Sequence, residues 1–258
     1  MKKNFISALQ TKKDQQKKIS MLTAYDAVTA RCLEESAIDV ILVGDSVGNV
    51  FAGHETTLPV TLRDMIYHGK AVKRGAPNSI IVVDMPFMSY RTSIEKSKRN
   101  ATKMMQETGA NALKCEVNSP ADVDTIKELI AVGIPIMAHI GLTPQFVEQF
   151  GGFKKQGKTA NEQEQLLQLA IALEAVGVFS IVLEVIPEDL AAQITKALQI
   201  PTIGIGAGRQ CDGQVLVIND VVGFSADKGP SFAKQYEQFY EKMKKAVCLF
   251  KEDVDKTL

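Results

Sequence analysis

Two stretches decide the fold class: Ile41-Leu42-Val43-Gly44-Asp45-Ser46 and Ile81-Val82-Val83-Asp84. Each is a short apolar run, rich in β-branched residues, that stops at an acid. An unbroken apolar run of this length reads as a strand covered on both faces, the condition of a parallel sheet. Working outward, the same pattern recurs, so that eight strands are expected over Lys18–Ala24, Asp39–Gly44, Ser79–Met85, Ala110–Glu116, Ile134–Ile140, Phe179–Val185, Thr202–Ile205 and Val215–Asn219. Between them, Arg63–Arg74, Ser93–Thr108, Pro120–Ala131 and Glu162–Ala175 space apolar residues three and four apart, as helices do. The stretches after Pro187 and from Ser231 onward read the same way.

Punctuation supports the alternation. Gly109, Gly133 and Gly177 sit where a left-handed residue ends a helix, and Ser93, Ser119 and Asn161 sit where N-caps are wanted. Eight buried strands alternating with helices imply a parallel sheet wrapped in helices. Closing that sheet gives a single (β/α)₈ TIM barrel spanning residues 1–258, a length common for one barrel domain. A doubly wound open sheet is the rival, because strand number alone does not decide closure.

Charge and composition exclude several roles. Thirty basic residues balance thirty acidic ones, so no field of one sign covers the surface to hold a polyanion. The lysines near the start (Lys2, Lys3, Lys12, Lys13, Lys17, Lys18) read as a solvated edge without the interleaved aromatics of a base-stacking surface. No nucleic-acid partner is expected. Four scattered cysteines form no C-x-x-C pair, which points to a reducing, cytoplasmic setting. No apolar run approaches the ~20 residues of a membrane span, and residues 1–18 lack a signal peptide's apolar core.

In a TIM barrel the chemistry sits at the C-terminal strand ends. Here those ends carry Asp45-Ser46, Asp84, Lys114-Cys115-Glu116, His139 and Glu184. One acid after a strand is usually the N-cap of the next helix; five neighbouring strands ending in ionisable groups call for another reason. Asp45, Asp84 and Glu116 would supply three hard oxygen ligands, suited to one Mg²⁺ with waters and substrate completing its shell. A divalent ion chelated by a 2-oxo acid stabilises an enolate, and Lys114 would add positive charge beside the keto oxygen. Glu184, outside that ligand set, is available as a general base. Lys114 could instead be a mouth salt bridge, and Glu184 a helix-start carboxylate ahead of Pro187. His54 and His68 have no partner at ligand spacing and read as surface or satisfied histidines.

Several blocks in order carry a resemblance. They are Thr23-Ala24-Tyr25-Asp26, Val43-Gly44-Asp45-Ser46-Val47-Gly48-Asn49, Thr57-Leu58-Pro59-Val60-Thr61 and Asp84-Met85-Pro86-Phe87-Met88-Ser89-Tyr90. They continue with His139-Ile140-Gly141-Leu142-Thr143-Pro144-Gln145, Gly204-Ile205-Gly206-Ala207-Gly208 and Cys211-Asp212-Gly213-Gln214. Together they resemble ketopantoate hydroxymethyltransferases, from about residue 20 to residue 232.

The resemblance implies a barrel of the phosphoenolpyruvate mutase and isocitrate lyase type, assembled as a homodecamer. It implies transfer of a hydroxymethyl group from methylenetetrahydrofolate to 2-oxoisovalerate, toward pantothenate. It also implies metal ligation by Asp45, Asp84 and Glu116, substrate contacts from Ser46 and Lys114, Glu184 as proton acceptor and His139 on the site wall. In that family two glycines usually follow the Lys-x-Glu of strand four, whereas this chain has Val117 and Asn118, bulk that would shift Glu116. The spaced glycines at 204, 206 and 208 read as close backbone packing that leaves space for the folate. A lyase of the same superfamily would share Mg²⁺ and enolate chemistry but use a mouth-loop cysteine, and none of the four follows strand four. A non-catalytic barrel sensing a keto acid would have no use for so many buried charges.

Overall fold

The apolar runs become parallel strands that close on themselves. The computed structural model describes residues 5–257. Its strands are β1 (Ile19–Thr23), β2 (Val40–Val43), β3 (Ile80–Asp84), β4 (Ala112–Glu116), β5 (Ile136–Gly141), β6 (Ser180–Glu184), β7 (Thr202–Ile205) and β8 (Gly213–Leu216). They follow one another in chain order around a closed barrel, which decides against an open doubly wound sheet. The helices are α1 (Phe5–Asp14), α2 (Ala27–Glu35), α3 (Val47–Val50), α4 (Leu62–Gly75), α5 (Ile94–Thr108) and α6 (Pro120–Ala131). They continue as α7 (Val147–Phe150), α8 (Ala160–Ala175), α9 (Glu188–Ala197), α10 (Ile218–Val222) and α11 (Phe239–Lys256). The described residues up to Val215 form one compact unit and those from Leu216 onward a second.

Alternation along the strands positions the site. Val40 and Leu42, Val82, Ala112, Met137, Val182 and Ile203 belong to one buried apolar cluster with Ile19 and Met21. Residues two apart share a face of a strand. Stepping two residues on from these core positions therefore reaches Asp84, then Lys114 and Glu116, then His139 and Glu184 at one mouth. Leu9 of α1 joins the cluster beside the strand starts, so α1 closes the opposite end.

The structure corrects four local expectations. The first concerns the N-terminal lysines: Lys2 and Lys3 lie outside the described residues, but Lys12, Lys13 and Lys18 are not a free solvated edge. Lys13 Nζ bonds Asp212 Oδ2 at 2.9 Å and the carbonyls of Thr195 and Ile200, Lys12 pairs with Asp39, and Lys18 Nζ donates to the Cys211 carbonyl. Second, the last strand starts at Gly213, two residues before Val215. A Cβ at Gly213 would stand 2.6 Å from the Ile19 carbonyl oxygen, so only glycine lets the chain approach β1 there. Third, Thr159, not Asn161, caps α8, accepting from Glu162 N while the Glu162 carboxylate accepts from Thr159 N. Fourth, the last helix begins at Phe239, not Ser231. Tyr236 N donates to the Val221 carbonyl, a tertiary partner that replaces the helical one. The three helix-ending glycines are as expected: Gly109, Gly133 and Gly177 have φ of 65°, 88° and 99°.

Gly75, at the end of α4, lies against the start of α2. A Cβ there would overlap the Ala27 carbonyl oxygen. Gly75→Ala should gain about 1 kcal/mol of helix propensity and lose up to about 3 kcal/mol to overpacking. The expected net effect is a melting midpoint lower by ~4–8 °C. A midpoint that holds or rises in calorimetry would contradict this close approach.

Candidate active site

The barrel mouth holds one lysine among four carboxylates. Lys114, on β4, is buried, and its Nζ lies 2.8 Å from Asp84 Oδ1 at the end of β3. Parallel register sets Asp84 directly beside Lys114, Glu116 beside His139 and Gly141 beside Glu184. Asp45 follows β2, and its backbone N–H donates to Asp84 Oδ2 at 3.1 Å. At Gly44, just before Asp45, a Cβ would stand 2.7 Å from Ser46 Oγ and would turn that hydroxyl aside.

A line of close polar contacts crosses the mouth. Lys114 Nζ lies 3.4 Å from His139 Nδ1, and His139 Nε2 lies 3.1 Å from Glu184 Oε2. Burial, and then the Lys114 charge, hold the His139 pKa below its usual value, which favours the neutral ring. A neutral ring facing an ammonium at Nδ1 carries its proton on Nε2, which faces Glu184 without a formed hydrogen bond. Of the four acids Glu184 is the most accessible, its side chain 16% exposed. The sequence-expected residues Asp45, Asp84, Lys114, Glu116, His139 and Glu184 thus converge. Ser46 is half-buried next to Asp45, its Oγ 2.8 Å from the hydroxyl of Tyr25.

The electrostatics are those of crowded anions. Burial, followed by the Asp84 charge, pushes Asp45 up to about 7. Burial and then Asp45 raise Glu116 well above the usual carboxylate range. Burial opposes the charge on Lys114, but Asp84, Glu116 and Asp45 outweigh it and hold the ammonium protonated. Among the described residues, no three His, Cys, Asp or Glu side chains form a ready-made metal cage. Asp45 and Asp84 are nonetheless adjacent, buried and short of positive charge. Such a pair of hard oxygen donors fits a divalent cation that keeps part of its shell for water and substrate, as Mg²⁺ does.

The end of β6 is forced into place. Val185, immediately after Glu184, has φ 46°, a left-handed conformation that a β-branched residue adopts only under constraint. The constraint is visible: Val185 N donates to the Ile205 carbonyl at 2.8 Å, and its own carbonyl accepts from Gln156 N at 3.1 Å. Gly141 has φ 94°, and a Cβ there would overlap the Glu184 carbonyl oxygen. Val117, in place of a family glycine, is buried and donates to the His139 carbonyl, and Asn118 N donates to Asp122. Glu116 Oε2 accepts from Gln145 N at 2.9 Å, while Oε1 stands 3.7 Å from His139 Nδ1.

Sequence reasoning gave no role to Gln145, Tyr90, Arg91 or Val185. Gln145 Nε2 donates to Asp45 Oδ2 at 2.8 Å and to the Met85 carbonyl at 3.0 Å. Tyr90 and Arg91 both donate to the Glu116 carbonyl, and Arg91 lies between the rings of Tyr90 and Phe146. The polar Gln145 just after strand five was the signal available for the first of these. At the glycine run, a Cβ on Gly208 would run into the Glu188 side chain, which accords with close packing there. His68 is satisfied, its Nδ1 2.6 Å from the Tyr25 carbonyl oxygen, and His54 is exposed.

Fold and site together define a barrel with a buried lysine and carboxylates gathered at the C-terminal strand ends, the arrangement of a barrel enzyme. Residues 3–257 match the ketopantoate hydroxymethyltransferase family. The 3-methyl-2-oxobutanoate hydroxymethyltransferase of Thermotoga maritima is 52% identical over 241 residues, covering 93% of this chain and 88% of that protein. The chain belongs to the ketopantoate hydroxymethyltransferase family. The fold is shared with 2,3-dimethylmalate lyase, a PEP mutase/isocitrate lyase superfamily member (TM-score 0.60, 14% identity, 98% of this chain and 86% of that one). It is shared equally with a phosphonopyruvate hydrolase in complex with oxalate and Mg²⁺ (TM-score 0.60, 12% identity, 82% and 79%).

The raised pKa of Asp45 has a measurable sign. In chelator, the folded carboxyl holds its proton up to about pH 7, against 3.8 for an ordinary aspartate. Its contribution to stability is therefore full below that lower value and is lost as pH rises through about 7. Asn does not titrate, so the melting temperature of Asp45→Asn relative to the parent should climb between about pH 4 and 7 and level off above that. A difference that stays flat across that range would place Asp45 in a far more solvated setting.

Proposed function

We propose that the protein transfers a hydroxymethyl group from methylenetetrahydrofolate to 2-oxoisovalerate (3-methyl-2-oxobutanoate). The product is ketopantoate, for pantothenate and coenzyme A synthesis. The observation that carries this reading is the buried Lys114–Asp84 pair joined through His139 to Glu184. Asp45 and Asp84 would hold one Mg²⁺ per subunit, with Glu116, whose Oε2 accepts from Gln145 N, as the third carboxylate of the site. When bound, such an ion draws charge onto the keto oxygen of a chelating 2-oxo acid.

This chain's own residues supply the rest. Lys114, charged and dry, stabilises negative charge as it develops on that oxygen. Ser46 donates to the substrate carboxylate. Glu184, whose Oε2 stands 3.1 Å from His139 Nε2, removes the proton from the carbon beside the keto group. The new carbon–carbon bond forms between that carbon and the methylene carbon of the folate; the methylene's C–N bonds break, one water supplies the hydroxyl oxygen, and tetrahydrofolate leaves carrying the protons on its nitrogens. A cavity of about 660 Å³ reaches Gly141 and is lined by Asn118, Gln156, Gln165, Leu166 and Leu169, a polar-and-apolar wall suited to such a co-substrate.

The same reading includes a cytoplasmic homodecamer. No helix among the described residues is long and apolar enough to cross a membrane, and the four cysteines are free. Helix α11 buries none of its residues and exposes Phe239, Met243, Val247, Phe250 and Val254 at helical spacing, which supports self-association.

Purified protein given 2-oxoisovalerate, methylenetetrahydrofolate and Mg²⁺ should form ketopantoate, detected by mass, and should form none when the folate is omitted. Lys114→Met should raise KM for the 2-oxo acid and lower kcat, since both the bound anion and the developing oxyanion lose a cation in a dry site. Product formation without folate, or wild-type constants in Lys114→Met, would overturn the assignment.

A further inference from the structure

Gln145 is buried at the centre of the site, and every polar atom that it brings is used. Its amide nitrogen donates to Asp45 Oδ2 at 2.8 Å and the Met85 carbonyl at 3.0 Å. Its amide oxygen accepts from the Tyr90 hydroxyl at 3.2 Å and Arg91 Nη1 at 3.4 Å. Its backbone N–H donates to Glu116 Oε2 at 2.9 Å. The amide cannot be flipped: the reverse orientation sets its oxygen against a carboxylate and a carbonyl, and its NH₂ against a guanidinium.

That guanidinium is itself fixed. Arg91 stacks 4.4 Å from the Tyr90 ring centroid and 4.3 Å from that of Phe146, and its Nε bonds Asp122 Oδ1 at 3.0 Å. Segments following β2, β3 and β5 therefore meet on one amide. The two acids it touches are held differently. Asp45 has one oxygen tied and no described hydrogen bond at the other, Oδ1. Glu116 is held by a backbone donor that cannot rotate away.

We infer that Gln145 is the positioning residue of the metal site, tying down Asp45 Oδ2 so that Oδ1 faces the cation and holding Glu116 in place through its backbone N–H. This rests on the Asp45–Asp84 metal assignment made above. A neutral amide is well matched to this role, because it supplies a donor to the crowded Asp45 without adding a charge that would compete with the cation. Outer partners of this kind typically change metal affinity ~10–100-fold when lost.

The test is Mn²⁺ binding to chelator-stripped protein, with free Mn²⁺ counted by electron paramagnetic resonance and the metal-free melting temperature recorded in parallel. Gln145→Met keeps length and removes the donors. It should weaken Mn²⁺ binding ~10-fold or more, out of proportion to any loss in metal-free melting temperature. Tyr90→Phe loosens the amide from behind by one hydroxyl and should weaken binding several-fold; it also serves if Gln145→Met does not fold. Asp45→Asn is the control and should abolish binding. Unchanged Mn²⁺ affinity in both Gln145→Met and Tyr90→Phe, beside a loss in Asp45→Asn, would overturn the role of Gln145 alone. Wild-type affinity in Asp45→Asn would overturn the metal assignment and the inference with it.

Discussion

The contact between Lys114 Nζ and Asp84 Oδ1, 2.8 Å long and shut off from solvent, is what the rest of the site depends on. Burying an ion costs several kcal/mol even after relaxation, and a partner offsets that cost only in good geometry. Here one cation serves several acids, so its charge cannot satisfy them all. Asp45 is driven up to about 7 and Glu116 above the carboxylate range by burial and mutual repulsion. That uncompensated negative charge is what a divalent cation would neutralise. Removing Lys114 leaves Asp84 unpaired and deepens the repulsion, so the lysine matters to the acids before it touches any substrate.

Rigidity is the second requirement. Crowded charges relax apart unless the backbone forbids it, and here the backbone does. Parallel register fixes Asp84 beside Lys114 and Glu116 beside His139. Gly141 allows an approach to the Glu184 carbonyl that a Cβ would block. The left-handed Val185 ends β6 directly after the acid that the mechanism uses. Strain in such a place persists only where the surroundings over-determine it, and hydrogen bonds on both sides of Val185 do so. The thiols stand outside this arrangement. Cys115 is buried with its pKa pushed up to about 12, Cys211 is buried, and Cys32 and Cys248 lie on α2 and α11. A lyase acting through a mouth cysteine has no candidate among them.

Much of this was legible in the sequence because barrels separate their signals. Apolar strand interiors say "parallel and buried", and an acid or lysine at the end of such a run stands out against them. Asp84, Lys114, Glu116, His139 and Glu184 were found that way, and the register bears out their convergence. Closure was not legible, since it depends on Gly213 meeting Ile19, a contact between residues far apart in the chain. The late start of α11 and the cap at Thr159 were missed because tertiary and local side-chain bonds overrode apolar spacing. Gln145 and Arg91 stayed hidden for a different reason. A glutamine in a loop carries no pattern; its importance lies in five partners that only the folded chain gathers.

The function proposed for these buried charges is to take a proton from the carbon beside a keto group. Proton nuclear magnetic resonance of 2-oxoisovalerate in D₂O, with protein and Mg²⁺ but without folate, reads that step by itself. The C3 proton signal should be lost with the parent protein. Its rate of loss should be ~10²–10⁴-fold lower with Glu184→Gln, which keeps the shape and removes the base. Exchange by Glu184→Gln at the parent's rate, or no exchange by the parent at all, would contradict this role for the buried charges.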